Sequence, residues 1–237
     1  MRFEGKAVLI TGGTGALGAH VTRAFLDEGG RVGATWIVDG EPDDLRTLVG
    51  DRGESLELYR TDLFDAEEIQ KMVADVLDAF GTIDILVNVV GGYLGGPSVA
   101  ELRLKEWEFM FNLNLRSVFL ACRAVVPHMV ERGEGKVVNV ASAAGLEGEA
   151  GHAAYSASKA GVIRLTESLA AEVKRNGVNV NCILPSIIDT PANREALPKA
   201  DFARWPKPWE VARVILFLAS EDAMLLHGTA LPVYGLS

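Results

Sequence analysis

The 237-residue chain predicts an α/β fold, a single doubly wound, seven-stranded parallel sheet with helices on both faces. Three observations predict it. Short runs rich in Val, Ile and Leu recur from end to end, segments of helical period lie between them, and no repeat or linker cuts the chain. The runs are nearly continuous in apolar residues rather than alternating, as parallel strands covered on both faces must be. The length suits one larger α/β domain over residues 1–237.

Strands are expected at residues 7–10, 31–36, 56–59, 83–90, 136–140, 178–184 and 229–233. A helix is expected over 66–80, with Gly81 where a C-terminal glycine cap belongs. Leu115, Val118, Phe119, Cys122, Val125, Val126 and Met129 repeat at helical spacing and mark one buried stripe. The stretch 185–208 breaks this rhythm, holding five of the nine prolines. It follows a strand's carboxyl end, where doubly wound sheets bind ligands. It is therefore either a surface loop or a substrate-covering lid, with Phe202, Trp205 and Trp209 available to cover an apolar substrate.

Composition narrows the function classes. Apolar residues make up 49% and charged residues 23%, with a mean hydropathy of +0.17, which supports a large buried core. A net charge of −9, with Arg and Lys scattered, gives no footprint for nucleic acid or an anionic membrane. Cys122 and Cys182 lie sixty positions apart without a CxxC, and His20, His128, His152 and His227 lack ligand spacing, so no disulfide scaffold or metal site is expected. The first residues run straight into a strand without a signal-peptide core, and no run approaches the roughly 20 apolar residues of a membrane span. A soluble cytoplasmic protein is the expectation.

After the first strand comes Thr11-Gly12-Gly13-Thr14-Gly15-Ala16-Leu17-Gly18, followed by a helix. Small residues there let backbone approach a pyrophosphate, and the helix offers free N–H groups and a positive dipole end. A purely structural turn is the alternative. Gly12 and Gly18 are the leading candidates for cofactor contact. At the end of the second strand an acid would accept bonds from an adenosine 2′-hydroxyl and an Arg would pair a 2′-phosphate, but Trp36 stands there. Asp39, Glu41, Asp43 and Asp44 follow, and no basic residue until Arg46, so NAD or NADP is the expected cofactor with NAD favoured.

Tyr155 and Lys159 sit at i and i+4 on one helix face. An unperturbed tyrosine, with a pKa of about 10, shuttles protons poorly at neutral pH, and lowering it by about 3 units takes about 4 kcal/mol. A cation about 4 Å away at an effective dielectric of about 20 supplies that amount. Two solvated helix residues are the plain alternative. Ser142 follows a strand's carboxyl end thirteen residues upstream, and Asn114 lies beside the apolar stripe. An asparagine in a helix is mildly unfavourable, which suits a buried polar role or a satisfied helix amide.

On these motifs the chain resembles the short-chain dehydrogenase/reductase family along essentially its whole length. The family's TGxxxGxG is matched by 11–18 with Ala16 for the middle glycine, NNAG in part by Asn88-Val89-Val90-Gly91, and PGxxxT by 185–190 with Ser186 for glycine. The resemblance implies a single-domain Rossmann fold and a catalytic tetrad of Asn114, Ser142, Tyr155 and Lys159. Cofactor contacts are implied at Gly12, Thr14, Gly15, Ala16, Leu17, Gly18, Trp36, Asp62, Leu63, Asn88, Val89, Gly91, Tyr155, Lys159, Pro185, Ile187 and Thr190. Asp62 would meet the adenine and Thr190 the nicotinamide end. Asn114 would anchor a water linking Lys159 to solvent.

The implied activity is interconversion of a ketone or aldehyde and an alcohol on a small-molecule substrate, by a homo-oligomer, tetramer or dimer. Residues 91–96 and 189–205 are similar to the quinonoid dihydropteridine reductase branch, so reduction of a quinonoid pterin is the alternative activity. Ser142 and Trp36 set the chain apart from that branch. A dinucleotide-binding protein without chemistry is the remaining alternative.

Overall fold

A computed structural model describes all 237 residues, Met1–Ser237. Seven parallel strands form one sheet in the order β3-β2-β1-β4-β5-β6-β7. They are β1 (Ala7–Thr11), β2 (Arg31–Trp36), β3 (Leu56–Arg60), β4 (Ile85–Asn88), β5 (Gly135–Val140), β6 (Val178–Pro185) and β7 (Ala230–Val233). All five residues of β1 and all eight of β6 are buried, so their apolar runs need no alternation. The edge strand β3 instead exposes Glu57 and Arg60.

Successive residues of a strand supply opposite faces. Val8 and Ile10 pack with α1 (Gly18–Asp27), α2 (Glu41–Val49) and α8 (Pro208–Ala219). Leu9 packs with α3 (Ala66–Phe80), α5 (Ser117–Arg132) and α6 (Ala153–Val173). Asp65 caps α3 by accepting from the Glu67 and Glu68 amides, and Gly81, at φ 75°, ends it as expected.

Two elements differ from the sequence expectation. The stripe 115–129 belongs to a longer helix, in which α4 (Leu104–Phe111) continues through a π-turn at Asn112–Arg116 into α5. An 18-residue window within Leu104–Arg132 reaches a mean hydropathy of 1.3, enough by length and composition alone to cross a membrane. Arg116 and Arg123 interrupt its apolar run, and Val118, Cys122, Val125 and Met129 are core residues. The strand expected over 83–90 is also shorter, because Val89 and Val90 leave the sheet to begin a glycine-rich loop. After β3 the chain crosses to the far side of β1, so the strand order reverses between β1 and β4. Their carboxyl ends, Thr11 and Asn88, are register partners at that point.

Candidate active site

A cleft of about 1510 Å³ opens above this switch point. Its cofactor end is the turn after β1. Gly12 holds φ at +65°, and the Cβ of any other residue there would lie 2.9 Å from Val90. A Cβ on Gly18 would lie 1.9 Å from the Gly12 carbonyl oxygen, so the turn closes only with glycine. The Gly12 N–H donates to Thr35 Oγ1 at 2.8 Å, and Thr22 Oγ1 donates to the Gly13 carbonyl at 2.9 Å. At Gly15 a Cβ would meet nothing closer than 3.7 Å, so its missing side chain leaves room on the cleft side. Helix α1 starts without a side-chain cap and without an acid in its first turn. Uncapped N–H groups behind an open glycine cradle suit a pyrophosphate, so the residues present fit a dinucleotide.

Further along, Trp36 and Asp62 line the cleft, and Glu41 accepts from Thr14 Oγ1 at 2.6 Å. Glu41 is brought to the cleft by the first turn of α2. Asp39 does not line the cleft. Arg60, the register partner of Trp36, places its guanidinium 5.9 Å from the indole.

The reactive end gathers residues from four elements. Ser142 ends the loop after β5 in extended backbone, and its Oγ accepts from the Ala144 N–H at 3.2 Å. Tyr155 and Lys159 rise from the first turns of α6 and both line the cleft. Lys159 is 3% exposed, and its Nζ donates to the Val140 carbonyl at 2.9 Å. Burial drives that ammonium down to about 8. Gly91 must be glycine-like here, since a Cβ would come within 3.0 Å of both Lys159 Nζ and Asn114 Oδ1.

Asn114 is fully buried inside the π-turn. Its Oδ1 accepts from the Gly92 N–H at 2.9 Å, and its Nδ2 donates to the Gly92 carbonyl at 3.1 Å and to Ser158 Oγ at 3.1 Å. Both amide hydrogens are engaged. Asn114 therefore holds the loop after β4 against α6, and does not face the cleft as the expected water anchor would.

Three expectations are corrected. Asn88 does not line the cleft: it is 1% exposed and donates through Nδ2 to Asn139 Oδ1 at 2.8 Å beneath the floor. Tyr155 is not pulled down by its lysine. Burial raises the phenol above its ordinary value, the adjacent Ser142 hydroxyl offsets part of this, and Tyr93 adds to it. The Lys159 ammonium is committed to Val140 and supplies no lowering in this state. Finally, Phe202, Trp205 and Trp209 do not line the cleft. Trp205 is 5% exposed and packs tilted against Phe202, with centroids 5.0 Å apart at 51°, and from the 185–208 stretch it is Pro185, Ser186, Ile187, Ile188, Thr190, Asn193, Ala196 and Leu197 that line the cleft. The other expected residues, from Gly12 to Thr190, line it. Tyr93, from the 91–96 segment, lines it as well, and so do Glu149 and His152, whose positions carry no motif that signals this.

The model of the short chain dehydrogenase family matches residues 6–201. Over 99% of its length the chain is 35% identical to 3-oxoacyl-(acyl-carrier-protein) reductase FabG of Thermotoga maritima, of which it covers 98%. It is 36% identical to D-threitol dehydrogenase of Mycolicibacterium smegmatis, over 99% of this chain and 93% of that one. Among solved structures, ElxO with NADP bound superposes with a TM-score of 0.91 at 27% identity, covering 97% of each chain. Neither named relative is a pteridine reductase, so the pterin alternative is not favoured. Fold, cleft and relatives agree: the chain belongs to the short-chain dehydrogenase family of NAD(P)-dependent oxidoreductases.

Proposed function

We propose that the protein interconverts a small ketone or aldehyde and its alcohol, with Tyr155 as proton donor in the reducing direction. The observation that carries this reading is that Ser142 and Tyr155 line one cleft together with Lys159, which is 3% exposed and donates from Nζ to the Val140 carbonyl at 2.9 Å. Ser142 donates to the substrate oxygen as negative charge develops on it. Tyr155, held neutral by burial, gives up its proton to that oxygen. Lys159 sits where it can hold the ribose hydroxyls of a dinucleotide, and Asn114 fixes the Gly92 backbone behind it. A nicotinamide dinucleotide supplies the hydride when bound. NAD is the preferred form, which Glu41 at the adenosine end supports.

We also read the protein as a homo-oligomer. Exposed Leu104, Trp107 and Phe119 along α4 and α5 support this, and sedimentation at 25.4 kDa would refute it.

A carbonyl panel run with NADH and NADPH, including a quinonoid dihydropterin, tests the activity. Tyr155→Phe keeps the ring and removes only the titrating hydroxyl. Turnover on the best carbonyl should fall by about 10²–10⁴ while cofactor binding survives. Turnover at the wild-type level would refute the assignment.

A further inference from the structure

The loop after β4 carries Gly91-Gly92-Tyr93-Leu94-Gly95-Gly96, and the tetrad roles leave its tyrosine unexplained. Tyr93 is 59% exposed, so packing alone does not hold it. Its hydroxyl lies 2.9 Å from His152 Nε2, and its ring meets Tyr155 edge-on, with centroids 5.1 Å apart at 83°. Glu149 stands 3.4 Å from His152 Nδ1. With a hydrogen on Nδ1, facing that carboxylate, the neutral ring presents Nε2 as acceptor for the Tyr93 O–H.

Two further contacts stitch the same loops together. The Gly96 N–H donates to the Gly151 carbonyl at 2.9 Å. A Cβ at position 95 would fall 2.0 Å from the Tyr93 hydroxyl, so Gly95 clears the path of the folded-back ring. The charged or titratable groups facing this pair are Glu149 and Tyr155, with Glu147 also on the cleft.

We infer that Tyr93, latched by His152, is a positioning residue for Tyr155 and a wall that limits the substrate substituent on that side of the carbonyl. The ring occupies cleft space next to the proton donor. The cleft lining also includes apolar Leu113, Ala144, Leu146, Ile187 and Leu197. The substrate class that fits is an apolar carbonyl compound with one small substituent, directed at Tyr93, and one larger one. This inference rests on the carbonyl-reductase reading.

The test compares kcat/KM for a methyl ketone and a bulky diaryl ketone in wild type, Tyr93→Ala, Tyr93→Phe, His152→Ala, His152→Gln and the Tyr93→Phe/His152→Ala double variant. Tyr93→Ala should raise the bulky-to-small ratio by about tenfold, the scale of one or two methylene groups of pocket space. Tyr93→Phe and His152→Ala should each raise it about threefold, the weight of one hydrogen bond. The double variant should do no more than either single one, and His152→Gln, which keeps an acceptor, should restore the wild-type ratio. An unchanged ratio in Tyr93→Ala, or additive effects in the double variant, would overturn the inference. Nitrogen NMR of His152 reads the latch without turnover. The wild type should show the Nδ1–H tautomer, with the Nε2 signal moving in Tyr93→Phe. An unmoved signal overturns the latch, whereas a moved signal with no turnover of any carbonyl refutes the functional reading instead.

Discussion

Lys159 puts an ammonium where water does not reach, and that has a consequence for stability that is separate from catalysis. Its folded pKa is about 8 against 10.5 for the free group. Between those values the unfolded chain binds more protons than the folded one, so stability rises with pH across that window. Below pH 8 the full penalty for burying the charge applies, up to ~3 kcal/mol at about 1.4 kcal/mol per unit. Lys159→Met has no such group. The stability gap between wild type and Lys159→Met should therefore move in the wild type's favour as pH rises from 7.5 to 10, whatever its value at the start. Denaturant unfolding across that range measures it, and a gap independent of pH would show that the Lys159 ammonium keeps its ordinary pKa in the folded chain, hydrated or otherwise compensated. The i, i+4 spacing of Tyr155 and Lys159 reveals this pair in the sequence. It does not reveal that the ammonium turns toward the Val140 carbonyl, because that depends on where β5 ends.

Among the elements, the stretch 185–208 is folded more firmly than its prolines suggest. Helix α7 (Pro191–Ala196) is capped by Thr190, whose side chain accepts from the Asn193 N–H. Asp189 accepts from Arg194 Nε at 2.5 Å and Nη2 at 2.8 Å, and from Lys207 Nζ at 2.5 Å. These two cations hold its carboxyl well below the usual carboxylate range. A carboxyl lowered by folding stabilises above the unfolded value near 4, and that contribution is lost as pH falls below it. The clamp thus holds at neutral pH and fails only in acid.

Closure over the substrate should accordingly be confined to residues 190–200, between the clamp and buried Trp205. Hydrogen exchange should show protection gained there with cofactor and a substrate analogue, and none gained at 202–207. Asp189→Asn should speed exchange across the whole stretch without ligand. Equal protection of 190–200 in both states would leave this segment as fixed structure. Proline spacing shows where helices stop, but the direction of Phe202, Trp205 and Trp209 is set by packing, and no periodicity encodes it. Asn114 is similar: its polarity in an apolar stripe is legible, whereas its place in a π-turn and its bonds to Gly92 and Ser158 are not.

For the molecule as a whole, the seven parallel strands and the helices on both faces follow from apolar runs that sequence displays directly, whereas the strand order and the switch point between β1 and β4 come from the structure. Contacts between distant loops, such as Tyr93 with His152, fifty-nine positions away, are not displayed at all. Net charge is a property of the whole chain that bears on the cofactor. At −9 the protein repels anions, and the 2′-phosphate of NADPH adds up to two negative charges to those of NADH. Screening relieves this, because the Debye length falls from roughly 20 Å at low salt to about 4 Å near half-molar salt. For a sphere of this size the relief amounts to about 1 kcal/mol. The preference for NADH over NADPH, read from quenching of the four tryptophans, should therefore narrow by roughly three- to tenfold as salt rises from 20 to 500 mM. Arg60 beside Trp36 offers the opposite outcome. If that guanidinium reaches the 2′-phosphate, NADPH binds through attraction, and salt weakens it more than NADH. A preference for NADH that widens with salt would place Arg60, and not Glu41, in control of cofactor choice.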